Sequence, residues 1–143
     1  MNRPLMIAVF SLMLAACAAA VPVDTTIHKN SNGKRVYITT ELQSSPPAID
    51  GHLDDACWQQ GVWSGNYRQN MPEEGADPTA RTELKILYDQ KHIYAAFRVH
   101  DDPDKVERQL ARRDDFSGDI IGLAFDCFLD YRSGYEFNLT AAG

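Results

Sequence analysis

Apolar residues alternate with polar ones at a period of two along the second half of this chain, and that period limits the fold more than any other feature. Leu84, Ile86 and Tyr88 are apolar on one side of a run, and Ile93, Ala95, Phe97 and Val99 repeat the pattern. The polar residues Asp89-Gln90-Lys91-His92 lie between them. Two alternating runs around a short polar turn predict a β-hairpin. A second pair follows. Ile121, Leu123, Phe125 and Cys127 alternate, then Tyr135, Phe137 and Leu139, with a turn over Asp130-Tyr131-Arg132-Ser133-Gly134. Residues 36–42 are β-rich and open the domain, and Pro46-Pro47 ends that strand because proline cannot donate to a ladder. Helical signals are weaker. Residues 53–60 suit one or two turns, and 104–112 suit a short helix with Asp101, Asp102 and Asp104 favouring its start. The pattern predicts an all-β fold, an antiparallel β-sandwich of jelly-roll or immunoglobulin-like kind. The sequence stops at Thr140-Ala141-Ala142-Gly143, just after a predicted strand, so the sandwich is expected to be incomplete at its C-terminus.

The N-terminus carries an export signal. Arg3 is its positive charge, residues 5–16 are apolar apart from Ser11, and small residues run from 15 to 20. A membrane-spanning helix needs about 20 apolar residues, so this stretch reads as a cleaved signal peptide over residues 1–20. Leu14-Ala15-Ala16-Cys17 fits a lipobox, which predicts lipidation at Cys17; Ala18-Ala19-Ala20 offers the rival cleavage site. Residues 21–43 are expected to form a tether and a first strand, and 44–143 the sandwich. The expected location is the periplasm, outer membrane or surface of a bacterium, with membrane contact through a lipid anchor or a downstream barrel. The net charge is −6 with 20 acidic against 14 basic residues, which argues against a nucleic-acid partner. After loss of Cys17 to acylation, Cys57 and Cys127 remain, either as a disulfide or as buried free thiols.

Catalytic motifs are missing. There is no G-x-S-x-G elbow, H-E-x-x-H pair, P-loop or dinucleotide glycine pattern, and His28, His52, His92 and His100 lack metal-ligand spacing. Asp114, Asp115, Asp119, Asp126 and Asp130 bracket one strand. Three readings stand: paired carboxylates for glycoside hydrolysis, an irregular Ca²⁺ site, or aspartates that close turns. Among the aromatics, Trp58 reads as a core residue, and Phe116, isolated in a polar stretch, as loop packing or a sugar-stacking platform.

In series, Ile49-Asp50-Gly51-His52-Leu53-Asp54 before Trp58, then Asp101-Asp102-Pro103, Asp119 to Asp126, and Gly134-Tyr135-Glu136-Phe137 resemble the family 9 carbohydrate-binding module. The resemblance covers about residues 44–143. It implies a non-catalytic β-sandwich that binds a polysaccharide or oligosaccharide, often with structural calcium, as an accessory to glycoside hydrolases. It places a stacking aromatic at Phe116; the expected binding site adds Asp115 and Asn138 as hydrogen-bond partners of the sugar. Two positions depart from the family: Gly122 stands where a ligand-binding glutamate is expected, and Asn138 where an arginine is. A closer likeness is to modules that precede an outer-membrane barrel. That leaves a second expectation, a structural or docking domain with no sugar ligand.

Overall fold

The computed structural model describes residues 23–24, 28–110, 112 and 117–142. Nine strands and one 3-10 turn, Ala56–Gln59, follow in order: β1 (Val23–Asp24), β2 (His28–Lys29), β3 (Arg35–Val36), β4 (Thr40–Glu41), β5 (Trp63–Ser64), β6 (Arg81–Tyr88), β7 (Ile93–His100), β8 (Ile120–Phe125) and β9 (Tyr135–Thr140). The described residues are thus all-β, arranged in open sheets.

Both expected hairpins form. β6 and β7 pair antiparallel from Arg81 opposite His100 to Tyr88 opposite Ile93. Their turn is closed by one side chain. Asp89 Oδ1 accepts the backbone N–H groups of Lys91 and His92, both at 2.7 Å, and Oδ2 accepts the Tyr94 hydroxyl at 2.8 Å. The Lys91 N–H, then the Tyr94 hydroxyl, hold the Asp89 carboxyl far below the usual carboxylate range.

β6 is the hub of a five-stranded sheet. β5 joins it antiparallel at Ser64 opposite Leu84, and β4 joins parallel at Thr40 opposite Leu87, both on the side away from β7. β1 extends the sheet beyond β5. Among the described residues β7 pairs with β6 alone. β2–β3 and β8–β9 are separate two-stranded sheets.

The core lies on an unexpected face. β6 buries Glu83, Lys85 and Leu87, while Leu84 and Ile86 are half-buried and Tyr88 is exposed. Cys57, Trp58, Trp63 and Ala96 complete the buried cluster, with Leu42, Leu53 and Tyr94 at its margin. The reason is polar rather than apolar. The 3-10 turn ends with carbonyls that lack partners within the turn. The Lys85 ammonium satisfies them, donating to Trp58 O at 2.8 Å, Gln60 O at 2.8 Å and Gly61 O at 3.4 Å. The Trp63 ring receives two cations, Lys85 Nζ at 4.9 Å and the Arg98 guanidinium at 3.9 Å from its centroid. Burial, and secondarily Arg98, bring the Lys85 pKa down to about 8. Buried Glu83 pairs with Arg81 at 3.3 Å and His100 at 3.4 Å, at the sheet's edge. Each buried charge therefore has a partner, which is the condition for its burial.

Four expectations need correction. Among the described residues of the 104–112 stretch no helix forms. A lone turn of that length is marginal without an apolar face to bury, and Leu110 is 88% exposed. The described residues of the 21–43 stretch, expected as a tether and a first strand, already include β1 and β2. Asn30 Oδ1 accepts the N–H groups of Asn32 and Lys34 at 3.0 and 2.9 Å, so the Asn/Gly composition builds a β2–β3 turn. The expected strand over 36–42 is split into β3 and β4. Cys57 and Cys127 are both free, Cys57 buried and Cys127 exposed, because β8 ends at Phe125 and turns Cys127 out of the apolar row.

Candidate functional site

The expected sugar site centres on the β8–β9 hairpin. Its register sets two unlike faces. On one, Ile121 faces Leu139, Leu123 faces Phe137 and Phe125 faces Tyr135. Phe125 and Phe137 meet edge to face, 6.0 Å between centroids. Tyr135, Phe137 and Leu139 are all exposed. On the other face, Ile120 faces Thr140, Gly122 faces Asn138 and Ala124 faces Glu136.

Gly122 and Asn138, the two positions that depart from the family pattern, are direct cross-strand partners. The Asn138 carboxamide lies in the space a Gly122 side chain would occupy; an added Cβ would collide with Asn138 Oδ1. The result is a shallow polar shelf. Its amide offers donors and acceptors, and Thr140 and Glu136 flank it along β9.

Asp115 and Phe116 lie outside the described residues. The segment that follows them is tied to the end of the shelf. Asp119 Oδ2 accepts the Glu107 N–H at 3.0 Å, the Asp119 N–H donates to Glu107 O at 3.1 Å, and the Ala141 N–H donates to Asp119 O at 2.9 Å. Gly118 has φ +79, and a Cβ there would sit 2.5 Å from Glu107 O, so this return needs glycine. The chain therefore enters β8 through Gly118 and Asp119, beside the Ile120–Thr140 rung.

A cleft of about 780 Å³ opens beside the same end of the hairpin. Trp58, Phe97, Val99, Ile121 and Leu139 form its apolar walls, and Thr82, Arg108 and Asp119 supply polar groups. A volume of that size with a few polar groups suits a small ligand. A second cleft of about 490 Å³ lies at the other end, between Ile86, Tyr88 and Ile93 of the sheet and Phe125 of β8.

The acidic residues divide. Asp114 and Asp115 are outside the described residues. Asp119 is engaged as above, Asp126 accepts the Asp130 and Tyr131 N–H groups, and Asp130 accepts those of Arg132 and Ser133. The Tyr131 N–H chiefly lowers the Asp126 pKa, and the Ser133 N–H that of Asp130. Asp126 and Asp130 close turns, and Asp119 ties Glu107 to the start of β8. Among the described residues no group of His, Cys, Asp and Glu could hold a metal ion. Cys17 also lies outside the described residues, and among those described no helix is long and apolar enough to cross a membrane.

Sequence reasoning missed the Lys85–Trp63–Arg98 stack. Lys85 and Arg98 occupy the polar parity of β6 and β7, where charge reads as solvent-facing, so no local signal marks them. The lowered Lys85 pKa has a structural cause: burial, and secondarily the nearby Arg98 charge, disfavour the charged amine.

No protein-family model matches this chain, nor does any curated protein or any solved structure.

Proposed function

We propose that this chain is a non-catalytic carbohydrate-binding module of an exported bacterial protein, built as a β-sandwich with the β8–β9 hairpin as one layer. The Asn138 shelf over Gly122 carries the reading. It is a polar surface with fixed amide chemistry, next to the start of β8 at Ile120. Phe116 stacks on the flat C–H face of a sugar ring, while Asn138 and Asp115 bond its hydroxyls. Such stacking contributes on the order of 1 kcal/mol per ring. The module serves breakdown of a polysaccharide by a hydrolase elsewhere in its protein or system, and any Ca²⁺ it holds is structural. Calorimetric titration of the exported chain with plant and microbial oligosaccharides tests this. Saturable binding that is lost in both Phe116→Ala and Asn138→Ala supports it; no heat from any glycan, with the fold verified by circular dichroism, ends it.

A second reading has its own observation. Tyr135, Phe137 and Leu139 form an exposed apolar row beside two clefts. Monomers seldom leave contiguous apolar surface of this kind uncovered. The alternative role is a structural or docking domain of an outer-membrane barrel protein. Failure to bind glycans together with co-purification of a barrel would favour it.

A further inference from the structure

We propose that the loop joining β8 to β9 is a membrane-contact site whose tip enters the interface of a lipid bilayer. Phe128, Leu129 and Tyr131 of this loop are 72%, 79% and 80% exposed. Water is a poor solvent for such a group.

The tip is held rather than loose. The Asp126 carboxylate accepts the Asp130 and Tyr131 N–H groups at 3.3 and 3.0 Å. The Asp130 carboxylate accepts the Arg132 and Ser133 N–H groups, both at 2.9 Å, and the Ser133 hydroxyl at 2.8 Å. Leu129 and Tyr131 have φ of 54 and 56, left-handed backbone that side chains other than glycine's adopt only at a cost. The loop thus holds apolar side chains outward in a conformation that local sterics resist.

The chemistry of the tip follows the order of a bilayer interface. Leu129 and Phe128 suit the acyl boundary, and Tyr131 has an apolar ring with a polar end, as interface residues do. Cations flank it at headgroup depth: Lys34 Nζ lies 4.6 Å from the Tyr131 ring centroid, and Arg132 is next in the chain. The Asp126 and Asp130 carboxylates bond their own loop's N–H groups. A sugar has no use for Leu129, which offers no stacking face. Lys34 also fixes where the tip lies relative to the N-terminus. It closes the β2–β3 turn and lies about 17 residues after Cys17, at most ~60 Å of extended backbone. An acyl chain on Cys17 and the loop tip can therefore touch one surface. That last point rests on the export reading; the binding test does not.

The test uses the full chain and its Cys17→Ser form, mixed with vesicles of phosphatidylethanolamine and phosphatidylglycerol and sedimented. The Cys17→Ser form is expected to partition to vesicles without any acyl group. Adding Phe128→Ser and Leu129→Ser should weaken that partition by more than about tenfold, with the circular dichroism spectrum unchanged. A Phe128→Trp variant should show a blue shift in fluorescence when vesicles are added. Equal partition with and without the loop substitutions, or a Cys17→Ser form that stays in the supernatant, overturns the proposal. So does use of these residues for a soluble glycan or protein with no vesicle binding. If the Cys17→Ser form binds but the exported chain is never acylated, the lipidation reading fails and this one stands.

Discussion

Lys85 makes the stability of this fold rise with pH in a range where most proteins lose it. Its amine is wholly buried, bonded to three carbonyls, and has its pKa lowered from 10.5 to about 8. Between those values the unfolded chain holds a proton that the folded chain has shed. Stability therefore climbs as pH rises through the folded pKa, with a limiting slope of about 1.4 kcal/mol per pH unit. The clean window is narrow. Burial raises the Cys57 thiol above its ordinary 9.0, so above that pH the unfolded chain loses the thiol proton first and stability falls back. Burial likewise raises Tyr37 above 10.0 and opposes the trend higher still. From pH 8 to 9 the expected gain is about 1 kcal/mol. Urea denaturation at closely spaced pH values measures it. Lys85→Met keeps the length of the side chain and removes the titration. Its stability should be flat from pH 8 to 9, and about 1–3 kcal/mol lower at pH 9, because buried carbonyls lose their donor. A flat or falling profile in the parent chain refutes the reasoning, and so does a slope that persists in Lys85→Met.

Other perturbations have expected outcomes of their own. Leu87→Ala opens a cavity at a side chain with no exposure, and should cost about 2–5 kcal/mol in urea denaturation. Asp89 has a lowered pKa, so its contribution is present above the unfolded carboxylate pKa of about 3.9 and is lost as pH falls below it. The thermal midpoint should drop less between pH 5 and 3 in Asp89→Asn, which retains an acceptor for the turn but cannot titrate. Gly122→Val forces the Asn138 amide off its shelf and should abolish glycan binding in calorimetry, at a stability cost of about 1–3 kcal/mol. Glycan affinity unchanged by Gly122→Val would show that the shelf is not the site.

The parts of the fold that repeat locally are visible in the sequence. Leu84-Ile86-Tyr88 and Ile93 to Val99 announce a hairpin because side chains alternate along any strand. Alternation does not say which of two faces meets the next layer. That choice is made by Trp58, Trp63 and the carbonyls of the 56–59 turn, which are distant in sequence and favour the face of Lys85. The 104–112 segment shows the opposite failure. Its residues favour a helix, yet no neighbour covers Leu110, and local preference without packing is too weak. At the candidate site, Gly122 and Asn138 each departed from the family pattern. Only the strand register reveals that they face one another, so that one residue's missing side chain makes room for the other's amide.

The inverted burial of β6 bears on how the hairpin finds its pairing. Sliding one strand by a single residue would exchange its faces, turning Leu84, Ile86 and Tyr88 inward and expelling Lys85. By hydrophobicity alone that slipped ladder is the better bargain, so greasiness cannot be what selects the native one. The selection falls to an ammonium that only one registry brings within 2.8 Å of the Trp58 and Gln60 carbonyls. Lys85 behaves as a key cut for one alignment, because the neighbouring alignment would strand three carbonyls and a charge.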